Sequence, residues 1–166
     1  TIEGIDDFVR NRLKVSAAGL SESGNVDSTA HELTAKGYAA LPPIDEKKLT
    51  AIQAYFETQE CYPGRYNPNP ELYSLEEARK ERPYIAHYPL STVMGCPNLM
   101  AIANHPVLIS TVAKFLGTIP TILDYSVWWS FSHRESPKEA QLFHYDLADY
   151  RFCTLMMYLT DVNDGS

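Results

Sequence analysis

Two side chains that can bind a metal ion, His144 and Asp146, stand two residues apart at the end of the segment AQLFHYD (140–146). Side chains at positions i and i+2 of a β-strand point to the same face, so an imidazole and a carboxylate would converge here. These are two of the three ligands in the arrangement of two histidines and one carboxylate that binds ferrous iron. The spacing predicts half of a metal site, with His144 and Asp146 as the ligands.

The His-x-Asp spacing is a weak motif by itself, and its flanking segments give it weight. Residues 125–132 alternate in polarity, which is typical of a strand with two different faces. One predicted face carries Tyr125, Val127, Trp129 and Phe131, and the other carries Ser126, Trp128, Ser130 and Ser132. Residues 152–159 are apolar at nearly every position, as in a strand that is buried on both sides. The metal pair is therefore predicted to lie between two strands.

Helix signals dominate the chain before these strands. Pro106 at a first helical position and Gly117 after the last one predict a helix over 106–116. Asp45 is a suitable N-cap for a helix that runs to about Thr58, and Ser74 and Glu77 form a capping box for a short helix. Further predicted elements are a helix over 3–15, a helix over 29–36 capped by Asp27 or Ser28, and a strand over 38–41.

Composition excludes several classes of partner. The formal net charge is −7, and the 14 Lys and Arg residues are scattered, which argues against nucleic acid. No apolar run approaches the roughly 20 residues of a membrane helix, and the first residues do not form a signal sequence. Three cysteines far apart in sequence indicate neither a disulfide framework nor a zinc site. We expect a cytoplasmic protein with reduced thiols and no membrane partner.

The order and spacing of several segments resemble one known family. The segments are GYAALP (37–42), HPVLISTVAKFLG (105–117), the Trp-bearing strand, AQLFHYD (140–146) and MYLTDVNDGS (157–166). Over about residues 30–166 the chain resembles the phytanoyl-CoA dioxygenase family of Fe(II)/2-oxoglutarate-dependent oxygenases. The resemblance implies a mainly β fold with N-terminal helices, in which the core is a double-stranded β-helix (a jelly roll, cupin-like). Residues 1–118 would form the helical region with short strands, and 119–166 the first part of the core.

The resemblance also implies a reaction. An iron ion bound by His144 and Asp146, with 2-oxoglutarate as cosubstrate, would hydroxylate a C–H bond of a small-molecule substrate. Retention of a carboxylate at Asp146 favours hydroxylation over halogenation, because halogenation needs that coordination position for chloride. Trp128, Ser130 and Gln141 are candidates for contacts with the cosubstrate. Each has a structural alternative, such as indole packing or hydrogen bonding at a strand edge.

Family members carry a second iron-binding histidine and a basic residue for 2-oxoglutarate further downstream, whereas this sequence ends at Ser166. A jelly roll also needs about eight strands. The sequence predicts four extended segments, at 84–88, 121–132, 140–146 and 152–160. We therefore expect the C-terminal part of the jelly roll, with the second histidine and the basic residue, to be missing from this chain.

Two other classes of function remain open. On the same fold, His144 and Asp146 could be a hydrogen-bonded pair in a non-catalytic binding or scaffold protein, since fold does not fix function. A zinc hydrolase is weaker, because no His-x-x-x-His motif accompanies the pair. The other histidines, His31, His87, His105 and His133, are predicted to be structural.

Overall fold

The computed structural model describes residues 25–64, 71–131, 142, 144, 146, 148, 149 and 151–162. The helices are α1 (Val26–Lys36), α2 (Glu46–Glu57), α3 (Leu75–Glu81), α4 (Leu90–Gly95), α5 (Leu99–Ala103) and α6 (Pro106–Leu116). The strands are β1 (Tyr62–Pro63), β2 (Ile85–His87) and β3 (Trp128–Ser130). Within these ranges, no helix is long and apolar enough to cross a membrane. The predicted helix over 3–15 lies outside the described residues.

Helix α6 has the bounds that its sequence predicts. The ring Nδ1 of His105 accepts a hydrogen bond from the Val107 amide at 3.3 Å and so caps the N-terminus. Pro106 occupies the first turn, where its missing N–H costs no hydrogen bond. At the other end Gly117 takes a φ of 73°, and its N–H donates to the Ala113 carbonyl. A left-handed residue at this position stops the helix, and glycine adopts that conformation without strain.

The capping signals of the other helices are also largely confirmed. The Ser74 hydroxyl accepts from the Glu77 amide at 3.2 Å, and the Glu77 carboxylate accepts from the Ser74 amide at 2.8 Å, which completes the predicted capping box of α3. The Ser74 hydroxyl also donates to the Glu77 carboxylate at 2.7 Å, and this bond, together with the one from the Ser74 amide, lowers the pKa of Glu77. Asp45 caps α2 through a bond from the Lys48 amide at 3.2 Å. Helix α1 differs, because Asn25 caps it and it begins at Val26, three residues before the predicted start.

The sheet has the order β1-β2-β3, and both pairings are antiparallel. The cross-strand partners are Tyr62 with His87, Pro63 with Ala86, Ile85 with Ser130, Ala86 with Trp129 and His87 with Trp128. Burial along 125–131 alternates, and Trp129 is partly buried whereas Trp128 and Ser130 are exposed. The predicted two-faced character of this segment is therefore confirmed, although only its last part pairs as a strand.

The predicted fold class is wrong for the described part of the chain. Helix accounts for 44% of it, the sheet has three short strands, and no double-stranded β-helix is evident. Residues 121–127 and 152–160, both predicted as strands, are not assigned to any strand, and neither is the segment 38–41. An apolar, β-prone sequence becomes a strand only when a neighbour satisfies its backbone groups, whereas a helix satisfies its own. The helices therefore form, and most of the β-prone segments remain without a ladder.

The chain divides into two compact units that are interleaved along the sequence. The first comprises the described parts of Thr1–Thr50, Asn98–Leu123 and Asp149–Leu155, and the second those of Ala51–Pro97, Asp124–Ala148 and Met156–Ser166. The division into consecutive regions 1–118 and 119–166 stays a prediction.

In the first unit α1 packs against α6. Ala30 of α1 and Leu108 and Ala113 of α6 are buried. Lys114 pairs with Asp27, which joins the exposed sides of the two helices. The guanidinium of Arg151 donates to the carbonyls of Phe115 and Leu116 at the C-terminus of α6, where carbonyl groups lack partners within the helix. A cation here also complements the helix dipole.

In the second unit a buried aromatic cluster connects α2 to the sheet. Ile52 and Phe56 of α2 are fully buried. The ring of Tyr88 lies 4.7 Å from the ring of Phe56, centroid to centroid, and its hydroxyl donates to the Phe56 carbonyl at 2.6 Å. The same hydroxyl accepts from the Trp129 indole at 2.8 Å. This cluster fixes the position of β3, the strand that carries two of the candidate site residues.

Candidate metal centre

The side chains of His144 and Asp146 lie close together. His144 Nε2 lies 3.4 Å from Asp146 Oδ1, and the two side chains are 48% and 67% exposed. Neither residue is assigned to a strand. The two groups therefore meet at an accessible surface of the second unit, although strand alternation is not what brings them together.

The backbone orients the imidazole of His144. Its Nδ1 lies 2.7 Å from the carbonyl oxygen of Leu142. A carbonyl oxygen can only accept a hydrogen bond, so Nδ1 carries the proton and donates it. In neutral His144 the lone pair is then on Nε2, the nitrogen that faces Asp146. A histidine that binds a metal commonly donates its other ring N–H to a carbonyl or carboxylate in this way.

The separation of the two donor atoms fits a shared metal ion. Donors about 2.1 Å from one ion lie about 3.0 Å apart at adjacent octahedral positions and about 3.4 Å apart at tetrahedral ones. The Nε2 to Oδ1 distance of 3.4 Å falls at the upper end of that range. A neutral imidazole nitrogen and a carboxylate oxygen both present lone pairs, and a cation between them would turn their mutual repulsion into two bonds. His144 and Asp146 are therefore suitable to hold a divalent metal.

Within the described residues, no group of three or more His, Cys, Asp or Glu side chains could hold a metal ion. Three of the other histidines can be placed. His105 is the N-cap of α6, His87 lies in β2, and His31 is exposed on α1. His133 is outside the described residues, as is Gln141, the third candidate for a cosubstrate contact. The described part of the chain thus supplies two protein donors.

The remaining candidate contacts, Trp128 and Ser130, lie on one face of β3. Trp128 is 41% exposed, and its ring lies 5.8 Å from that of His87, its cross-strand partner. Ser130 is exposed and pairs with Ile85. An accessible indole face beside a hydroxyl can contact a small carboxylic acid, since the hydroxyl can donate to its oxygens and the ring can cover its carbon chain.

The cysteines do not supply a nucleophile to the described surface. Cys61 and Cys96 are buried, and Cys153 is partly buried. Burial raises the pKa of all three thiols, to about 11 for Cys96. A nucleophilic cysteine needs a lowered pKa and access to solvent. Cys61 and Cys96 therefore act as small buried side chains, and Cys153 as a partly buried one.

One component of the centre, the carbonyl oxygen of Leu142, was not predicted from the sequence. Backbone oxygens occur at every position, so residue type carries no signal for them. The one indication in the sequence is that Leu142 lies two residues before His144, a distance along the chain over which a ring nitrogen can reach a backbone carbonyl. It matters because it selects which nitrogen of His144 remains open to a metal.

No family model, curated protein or solved structure shows a significant match to this chain. The relation to the phytanoyl-CoA dioxygenase family therefore remains a resemblance carried by sequence segments. His144, Asp146 and the Leu142 carbonyl form the candidate metal centre by their geometry.

Proposed function

We propose that the chain is an Fe(II)/2-oxoglutarate-dependent dioxygenase that hydroxylates a C–H bond of a small-molecule substrate. The supporting observation is the approach of His144 Nε2 to Asp146 Oδ1 at 3.4 Å, with Nδ1 held by the Leu142 carbonyl. The order of the sequence segments adds the resemblance to a family with that chemistry.

Each residue has a defined task in this proposal. His144 would bind iron through Nε2, and its contact with Leu142 would hold the ring plane and the tautomer. Asp146 would contribute a hard anionic oxygen and neutralise one of the two positive charges of Fe(II). Bound iron supplies the oxidative decarboxylation of 2-oxoglutarate to succinate that accompanies hydroxylation. Ser130 and Trp128 are proposed as contacts for the cosubstrate, through a hydroxyl hydrogen bond and an apolar ring face respectively.

The competing interpretation is a simple ion pair in a non-catalytic binding protein. A charge-assisted hydrogen bond between an imidazolium and a carboxylate is roughly 2.7–2.9 Å long. The 3.4 Å separation of Nε2 and Oδ1 is longer than that. An exposed ion pair also stabilises a protein by only about 0–1 kcal/mol. The pair therefore contributes little stability as an ion pair, and we favour metal binding because the Leu142 carbonyl holds Nδ1 while Nε2 faces Asp146.

Turnover of 2-oxoglutarate tests the proposal. Succinate is measured with Fe(II) and ascorbate for the complete protein, unchanged and with His144→Ala or Asp146→Ala. Matched controls are His31→Ala and Asp161→Ala, which remove the same side-chain types from exposed positions elsewhere. We expect succinate from the unchanged protein and both controls, and none from the other two variants. The melting temperature should fall by less than about 4 °C in every variant, because an exposed pair contributes little stability.

Three outcomes would contradict the proposal. No succinate from the unchanged protein would remove the dioxygenase assignment. Continued turnover in Asp146→Ala would remove Asp146 from the centre, and an equal loss in Asp161→Ala would mean that the effect is not specific to the pair. A different outcome would contradict the rival zinc hydrolase: succinate formation that depends on iron and that zinc inhibits.

A further inference from the structure

We draw no further inference here: the strongest candidate, the row of aromatic rings that Tyr62, His87 and Trp128 form across one face of the three-stranded sheet, is a sheet face for which nothing in the described part of the chain shows what covers it.

Discussion

Replacing Tyr88 with Phe isolates the hydrogen bonds that hold β3 against α2. The Tyr88 side chain is nearly inaccessible, since the residue is 5% exposed. Its hydroxyl donates to the Phe56 carbonyl at 2.6 Å and accepts from the Trp129 indole at 2.8 Å. Phenylalanine keeps the ring and its packing against Phe56, so no cavity forms beyond the missing oxygen. The substitution therefore measures hydrogen bonding almost alone.

The two partners are affected differently. The Phe56 carbonyl also accepts from the Gln59 amide at 3.2 Å, so it keeps a partner. The Trp129 indole loses the acceptor to which it donates. A lost neutral hydrogen bond costs about 0.5–1.5 kcal/mol, and a donor left unsatisfied in a buried place costs about 1–3 kcal/mol. Trp129 is only partly buried, so we expect the free energy of unfolding to fall by about 1–2 kcal/mol.

Urea denaturation followed by tryptophan fluorescence is a suitable assay, because both tryptophans of the chain lie in β3. Tyr158→Phe is the matched control, since Tyr158 is 66% exposed. We expect the control to change stability by no more than about 0.5 kcal/mol. The free energy of unfolding should fall with urea concentration at the same slope in all variants, because the surface exposed on unfolding is unchanged. Equal stabilities of Tyr88→Phe and Tyr158→Phe would refute the assigned hydrogen bonds.

Three further predictions concern Tyr88, two cysteines and Gly95. Burial raises the pKa of Tyr88 to about 12, above the value of about 10 in an unfolded chain. The folded state therefore keeps this proton to a higher pH, and the free energy of unfolding should fall as the pH rises from about 10 to 12. Urea midpoints measured at several pH values should show this fall, and a smaller one in Tyr88→Phe. Cys61 and Cys96 should resist alkylation at pH 8 until urea unfolds the protein, because both thiols are buried and have raised pKa values. Peptide mass detects the modification, and alkylation of both residues in the native state would argue against their burial. A Cβ on Gly95 would lie 2.9 Å from the Tyr55 hydroxyl, which would have to move and weaken its hydrogen bond to the Thr92 carbonyl. Urea denaturation should therefore show that Gly95→Ala destabilises the protein by about 0.5–1.5 kcal/mol, and that the cost largely disappears in a Tyr55→Phe background.

The sequence predicts local elements well because their signals are local. The bounds of α6 follow from Pro106 and Gly117, and the start of α3 follows from the capping box of Ser74. Each signal acts within one helical turn, where a side chain or a backbone conformation satisfies groups that the helix leaves open. The alternation over 125–131 is equally local, and burial confirms it. These features depend little on the rest of the fold.

The fold class fails because it depends on pairing between distant segments. The apolar composition of 152–160 predicts a strand, yet strand formation needs a neighbouring strand in register. No strand assignment covers this segment, in which Leu155, Met156 and Tyr158 are exposed. The approach of His144 to Asp146 was predicted from alternation along a strand, which neither residue belongs to, and the role of the Leu142 carbonyl was not predicted. Backbone contacts depend on local dihedral angles that residue type does not specify.

Anaerobic titration with Fe(II), followed by calorimetry, tests the central claim that His144 and Asp146 share one metal ion. The unchanged protein should bind one ion, and binding should release heat that is absent or strongly reduced in His144→Ala and Asp146→Ala. The Fe(II) affinity should fall at least about tenfold in each variant, since replacing even a residue that only supports a metal ligand lowers metal affinity about 10–100-fold. His31→Ala should bind as the unchanged protein does. Equal Fe(II) affinity in all four proteins, or no binding to any, would contradict the account.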